Sequence, residues 1–504
     1  MKVREPKVLL LYPPEQRWPG FMVKPNGSLA YPMLAGALKE INCHVEVYDA
    51  CVGNEDDDIK VFYTSTELPT GLIRSGVSDE RILEVVKDFD IIGITSIFSD
   101  QETMVLHTLK IIKEKYPEKL LISGGGHARW SCEKFLKKGF EIIATSEAEE
   151  TIQDIIQQYR KGTNDWSPIR QIMYIKDNEI IDNSGGKVVM NLDELPFPDW
   201  KILPLKRYWE IKRGHGVEWE DKEVVKWAAV QTSIGCPFSC SYCHLSKELE
   251  GSISGNIGRH RVKSEDRVME ELQYLKHEVG IKQIFIEDDS IFGRKKRAIK
   301  ILEKMVDLGF RVMDINGINI IHLVKKGTGK FKYEPDVELI ELMAKAGFTD
   351  FSFPFESANS RIIKRWASGK WDVDNTNIEG LIKTFKENNI KMHANYMIGF
   401  PDETKEEIYN TIEFAKQNAD WGVTTSGFFI VMPLPGTTMF DYCIENGHLL
   451  KNFDMDKMNW RKANMINIGV EPIELEAIRD KAWEEANSNE WKENRRELII
   501  AEPE

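Results

Sequence analysis

The sequence has no long apolar run. Nothing in it approaches the roughly 18–20 residues that carry a helix across a bilayer, so no membrane span is expected. The early apolar stretch from Val8 to Tyr12 is too short for a signal peptide, and Pro13-Pro14 ends it. It reads as a buried strand. Cysteine is scarce, at seven in 504 residues, and the count is odd. Cys43, Cys51, Cys132 and Cys443 are scattered and read as small buried hydrophobes rather than as a disulfide framework. Positive charge is also short, with 67 Lys and Arg against 81 Asp and Glu and a net charge of −14. Nucleic-acid affinity rests on phosphate neutralisation, so nucleic acid is not an expected partner. The basic run Arg294-Lys295-Lys296-Arg297 reads as a solvated helix start. Gly327-Thr328-Gly329-Lys330 is not a phosphate loop, because Phe331 follows where Ser or Thr is needed. These absences describe a soluble, cytoplasmic chain of about three domains, and its 42% apolar content suffices for large cores.

What is present is concentrated. Cys236, Cys240 and Cys243 stand within eight residues, spaced C-x3-C-x2-C, with no fourth cysteine nearby. Three thiolates can hold three irons of a cubane [4Fe–4S] cluster and leave the fourth open to a ligand. Zinc is the competing reading, completed by His244 or a distant ligand, but structural zinc usually takes paired cysteine units and no second pair exists. The spacing, with Tyr242 just before the third cysteine, resembles the signature of radical S-adenosylmethionine (SAM) enzymes. In that family the open iron chelates the amino and carboxylate groups of SAM. One electron, from a donor such as flavodoxin or ferredoxin, then yields a 5′-deoxyadenosyl radical.

Residues 1–150 alternate strands and helices: strands at Lys7–Tyr12, His44–Tyr48, Ile91–Ser96, Leu120–Gly124 and Glu141–Thr145, with amphipathic helices between. That pattern predicts a doubly wound, Rossmann-like parallel sheet that binds ligands at the carboxyl ends of its strands. The loops there are Pro13-Pro14, Ser96-Ile97-Phe98, Gly124-Gly125-Gly126-His127 and Ser146-Glu147-Ala148-Glu149. The three glycines suit either a tight turn or close backbone approach to a large flat ligand. The set resembles the cobalamin-binding domain that precedes many radical SAM domains. The resemblance assigns cobalamin contacts to Ser96, Gly124, Gly125, Gly126 and Glu147. Two departures stand out. Ser146 replaces the usual glycine, and no Asp-x-His-x-x-Gly is present to supply a cobalt-ligating histidine. His127 is the only imidazole nearby and is not expected to take that role.

Residues 151–225 read as a helix, a hairpin turning at Asp177-Asn178, and the Pro-containing linker Leu195-Pro196-Phe197-Pro198. From 226 to 445 six strand–helix units follow, with strands near Lys226–Thr232, Ile284–Glu287, Phe310–Ile315, Asp350–Phe355, Lys391–Ile398 and Val423–Val431. Six units fit an open partial (β/α) barrel with its chemistry at the strand carboxyl ends. The ends carry Glu287-Asp288-Asp289, Phe355-Glu356-Ser357 and Met397-Ile398-Gly399-Phe400-Pro401. Carboxylates accept from ammonium and ribose hydroxyl groups. The family resemblance assigns SAM contacts to Tyr242, Asp288, Asp289, Glu356, Ser357 and Gly399. Residues 446–504 are charged and read as a helical cap over the barrel mouth or a surface tail.

The resemblance as a whole implies a cobalamin-dependent radical SAM methyltransferase acting on an unactivated carbon of a small-molecule substrate. One SAM supplies the radical and a second supplies the methyl group through cobalamin. Alternatives with the same motifs are a non-methylating rearrangement, cyclisation or carbon–carbon coupling. A methylthiotransferase would need a second cysteine triad. A non-catalytic iron–sulfur or zinc protein would need only the first. Asn316, Asn395 and Thr425 are candidate substrate contacts.

Overall fold

The computed structural model describes residues 5–21, 28–211, 225–467 and 469–493. The parts of the expected linker and tail at 212–224 and 494–504 lie outside the described residues.

Two sheets organise the chain. The first holds β1 (Lys7–Tyr12), β2 (His44–Asp49), β3 (Ile91–Thr95), β4 (Leu120–Gly124), β5 (Ile142–Ala144), β6 (Ile172–Lys176) and β7 (Glu179–Asn183), in the order β7-β6-β5-β4-β3-β1-β2. β1 to β5 pair in parallel, and β6 and β7 add an antiparallel edge. The hairpin expected in the linker therefore completes this sheet, and the first domain runs past residue 150. β1 is buried along Val8–Tyr12, as a parallel strand covered on both faces must be. Strand order reverses beside it, since β2 lies on one side and β3 on the other. Such a switch point leaves a crevice at the strand carboxyl ends.

The second sheet holds β8 (Trp227–Val230), β9 (Gln283–Ile286), β10 (Arg311–Asp314), β11 (Phe348–Glu356), β12 (Lys391–Ile398) and β13 (Thr425–Ile430). They pair in parallel, in chain order, with two open edges. This is the six-unit partial barrel. Its first helix starts where the sequence signals it: the Ser264 hydroxyl accepts from the Arg267 N–H at 3.1 Å, and Gly280 ends the run in the left-handed region. Among the described residues no helix is long and apolar enough to cross a membrane.

The C-terminal helix Pro472–Ala486 does not cover the barrel mouth. It flanks the edge strand β13 and satisfies its backbone. Arg479 Nε donates to the Phe428 carbonyl at 2.9 Å, and Asn487 pairs with both N–H and C=O of Ser426 at 2.8 and 2.9 Å. An uncovered edge would leave those groups without partners.

The two sheets meet through buried polar contacts. Arg261, 1% exposed, donates to both oxygens of Glu147 at 2.9 and 2.5 Å and to the Val189 carbonyl at 2.7 Å. Arg129 pairs with Glu248, Ser146 donates to the Ser254 carbonyl at 2.6 Å, and Trp130 meets Phe440 edge-on. Removing one partner of a buried ion pair leaves an uncompensated charge, at a cost of about 3–5 kcal/mol. Glu147→Ala should therefore lower the denaturation midpoint substantially more than Glu133→Ala, whose exposed pair with Lys137 is solvent-screened. Urea titration followed by tryptophan fluorescence checks this.

Candidate active site

The cysteine loop leaves the end of β8 and is fixed before it reaches the first cysteine. Asp288, fully buried just past β9, accepts from the Thr232 N–H, the Thr232 hydroxyl and the Ser233 hydroxyl, each at 2.6 Å. Asp289 accepts from the Gly235 N–H at 2.9 Å, and burial raises its carboxyl above the usual range. Beyond that point the Cys236 N–H donates to the Gly258 carbonyl at 3.2 Å. The Ser241 N–H donates to the Trp366 carbonyl at 2.9 Å, and the Ser239 N–H to the Ser368 hydroxyl at 3.2 Å.

The three thiols are only partly exposed. Burial pushes Cys236 up to about 11 and Cys243 up to about 12, and raises Cys240 as well. Cluster or metal binding must therefore displace their protons. Among the described residues no group of three or more His, Cys, Asp or Glu side chains converges on a single-ion position. Three thiols on one anchored loop suit a polynuclear cluster.

A second set of side chains backs the loop. Tyr242 Oη donates to Glu356 Oε1 at 3.0 Å, and the buried Lys370 Nζ donates to the same oxygen at 2.7 Å. Glu356 ends β11 with φ +64, a conformation that costs a side-chain-bearing residue energy and persists where its surroundings enforce it. Burial works to lower the Lys370 pKa, but Glu356, then Cys240 and Cys236, outweigh it and the ammonium is held above its ordinary value. Ser357 is fully buried, its hydroxyl within 3.2 Å of Thr411 and accepting from the Asn359 N–H at 3.1 Å. Gly399 ends β12 at φ +83, and a Cβ there would sit 2.5 Å from Leu475 of the C-terminal helix. Its N–H donates to Glu403 Oε2 at 2.7 Å.

A cavity of about 470 Å³ lies between the two sheets. Leu10, Gly93, Ile94, Ile122 and Ile142 line it from the first sheet. Gln231, Glu287 and Asn316 line it from the first three barrel strand ends, and Ile234 and Ile257 from beside the cysteine loop. Burial, then Asp288, raises Glu287 to about 8. Gly124, Gly125 and Glu147 reach this cavity, as does Asn316. Ser96 and Gly126 lie behind it. The Ser96 carbonyl accepts from the His127 and Ala128 N–H groups, both at 3.1 Å. Gly125 has φ +112, and a Cβ on it would stand 2.5 Å from the Ser96 carbonyl oxygen. The turn itself therefore demands glycine there, before any ligand is considered. His127 is buried with Nε2 2.9 Å from Glu102 and Nδ1 3.0 Å from Ser99, so neither ring nitrogen faces the cavity. No histidine lines the cavity among the described residues.

Asn395 Oδ1 and Thr425 lie inside the barrel. Thr425 stands 3.0 Å from His393, which is 3.1 Å from Asp350 at the start of β11. Sequence reasoning missed Lys370, Arg129, Arg261 and Gln231. None belongs to a spaced motif. Glu287 was adjacent to the acidic pair and was readable only as part of it.

Residues 230–415 match the radical SAM superfamily. These residues carry a radical SAM domain. Over 427 residues it is 29% identical to an uncharacterised methyltransferase of Pyrococcus horikoshii, covering 83% of this chain and 81% of that one. It is 24% identical over 496 residues to cytidylyl-2-hydroxyethylphosphonate methyltransferase of Streptomyces wedmorensis, covering 92% and 86%. In fold, the chain resembles the cobalamin-dependent SAM radical enzyme OxsB solved with aqua-cobalamin, at TM-score 0.67 and 16% identity over 93% of this chain and 65% of that one. The radical SAM methyltransferase TsrM of Kitasatospora setae, with tryptophan and a SAM analogue, gives TM-score 0.63 at 15% identity over 87% and 76%. At those identities the structures speak for the fold alone: an α/β sheet ahead of a partial barrel.

Glu403 supplies a pH-dependent expectation. Burial raises its carboxyl to about 8 from 4.5. The folded protein then holds this proton more tightly than the unfolded chain does, so stability falls as pH rises from about 4.5 towards about 8. Glu403→Gln, which keeps a neutral acceptor for Gly399, should flatten that decline in urea midpoints measured at pH 5, 6, 7 and 8.

Proposed function

We propose that this protein is a cobalamin-dependent radical SAM methyltransferase that places a methyl group on an unactivated carbon of a small molecule. One observation carries the reading. The cavity is walled by strand ends of both sheets and runs up to the loop that bears the three cysteines, so groups held by either domain would face each other across it.

The donor sets fit the groups the reading requires. Cys236, Cys240 and Cys243 would hold a [4Fe–4S] cluster with one open iron. Tyr242, Glu356, Lys370, Asp289 and the Gly399 turn stand around the loop that would carry it, outside the lining of the cavity. Asp288 and Ser357 are buried in hydrogen bonds to their own chain, which makes them supports of that arrangement. On the other side, Gly124 and the apolar floor offer a surface a flat cobalamin ring would cover. Tyr31 lines it with a buried hydroxyl that has no partner among the described residues. No imidazole lines the cavity among the described residues, so Tyr31, Gly124 and the apolar floor are the residues that would hold the ring. When bound, the cluster and cobalamin supply SAM cleavage and methyl transfer, while the protein aligns them and excludes water. Gln231, Glu287 and Asn316 face the space between and would hold the substrate. A low-potential donor such as flavodoxin or ferredoxin would supply electrons, in the cytoplasm, where an oxygen-sensitive cluster survives.

Anaerobic reconstitution with iron, sulfide and cobalamin should give stoichiometric cobalamin binding and a reduced-cluster electron paramagnetic resonance signal that SAM perturbs. Turnover with the true substrate should yield 5′-deoxyadenosine and S-adenosylhomocysteine together with a product heavier by one CH₂. A product of unchanged carbon count would favour the non-methylating reading instead.

A further inference from the structure

The segment after the barrel ties the Gly399–Glu403 turn, which follows β12, to the first domain. At one end, Asp456 Oδ1 accepts from Gln16 Nε2 at 3.0 Å, and its other oxygen accepts from the Thr103 hydroxyl. Trp18 Nε1 donates to the Lys457 carbonyl at 3.3 Å. Trp460 stands between Phe21 of the first domain and Phe429 of β13, at ring separations of 5.5 and 6.2 Å. At the other end, Asn467, 6% exposed, donates through Nδ2 to the Phe400 carbonyl and to the Glu403 carbonyl at 2.9 Å. Leu475 fills the space beside Gly399. The turn so held carries the Phe400 ring, 6.0 Å from Tyr242 in the cysteine loop.

We propose that Asn467 is a positioning residue for the SAM pocket, and that residues 456–467 form a strap through which docking of the first domain sets the shape of that pocket. The inference rests on the proposed function, since it takes SAM to bind beside this turn. It goes further in giving the C-terminal segment, which lies outside the radical SAM match, an indirect part in SAM binding. Asn467 touches neither SAM nor the cysteines. It acts by fixing the Phe400 and Glu403 carbonyls, which adds an outside anchor to the turn's internal bonds from the Gly399 and Phe400 N–H groups to Glu403.

The test is SAM affinity of the anaerobically reconstituted full chain, by equilibrium dialysis with labelled SAM. Iron content and cobalamin affinity are measured on the same samples. Asn467→Ala should weaken SAM binding about ten-fold, the scale of a buried hydrogen bond to a carbonyl lost at a binding turn, with iron content and cobalamin affinity unchanged. Asp456→Asn, distant from the turn and mild for folding, should weaken SAM binding several-fold, again with cobalamin affinity intact. Asn467→Asp, which cannot donate, should behave like the alanine variant. SAM affinity at the wild-type value in Asn467→Ala, or in Asp456→Asn should the former not fold, overturns the strap while leaving the function standing. A wild-type protein that binds cobalamin and a cluster but no SAM overturns both.

Discussion

The site depends on one buried carboxylate. Asp288 is sealed from solvent, and an ion in that position is tolerable only when its lone pairs are filled. The two residues at the start of the cysteine loop fill them with three donors, all at 2.6 Å. Hydrogen bonds to a charged group contribute about 1.5–3 kcal/mol each, more than most loop contacts. Asp289 repeats the device at Gly235. The result is a loop whose three thiols are placed by strand β9 rather than by their own short chain. A cluster site needs that, because a thiol held loosely has both a proton to lose and an entropy to lose before it can bind.

The acids around the site divide by environment. Asp288 accepts three hydrogen bonds, whereas Glu287, Asp314 and Glu403 are each raised to about 8, burial being the largest cause in every case. A barrel mouth with all of these ionised would repel a cluster that three thiolates already make anionic. Keeping them protonated near neutral pH lowers the negative charge there. Lys370 adds a positive one beside Cys240 and Cys236. Its attachment to Glu356 explains why that residue tolerates a strained backbone: the carboxylate is gripped from one side by a tyrosine hydroxyl and from the other by the ammonium.

Local chemistry made much of this legible in advance. The cysteine spacing and the alternation of strands with helices in both halves are short-range signals, and the parallel sheets follow from the alternation. Side-chain direction is not short-range. Asp288 and Asp289 are neighbours in sequence, yet one faces inward to Thr232 and the other towards Gly235, so their roles separate only in three dimensions. Gly125 was open to two explanations, and its contact with the Ser96 carbonyl gives the nearer one. Glu147 sits at the cavity but spends its carboxylate on Arg261, a residue from the other domain that no spacing in the sequence connects to it. The hairpin at 172–183 was visible as a hairpin. Its place as the edge of the first sheet depends on pairing with β5, across a helix of intervening chain.

Because the cavity has walls from both domains, the geometry between them is a chemical variable and not only a matter of stability. A shift of about 1 Å between reacting groups costs rate steeply. A hinge between two independently folded sheets would allow shifts of that size. The contacts that oppose it join the two domains: Glu147 with Arg261, Arg129 with Glu248, Trp130 against Phe440, and the segment from Asp456 onward. Two of these involve buried charges, which are costly to separate from their partners. Glu147 and Arg129 also line the cavity, so these two ion pairs fix the distance between its walls while its floor is shaped by apolar packing.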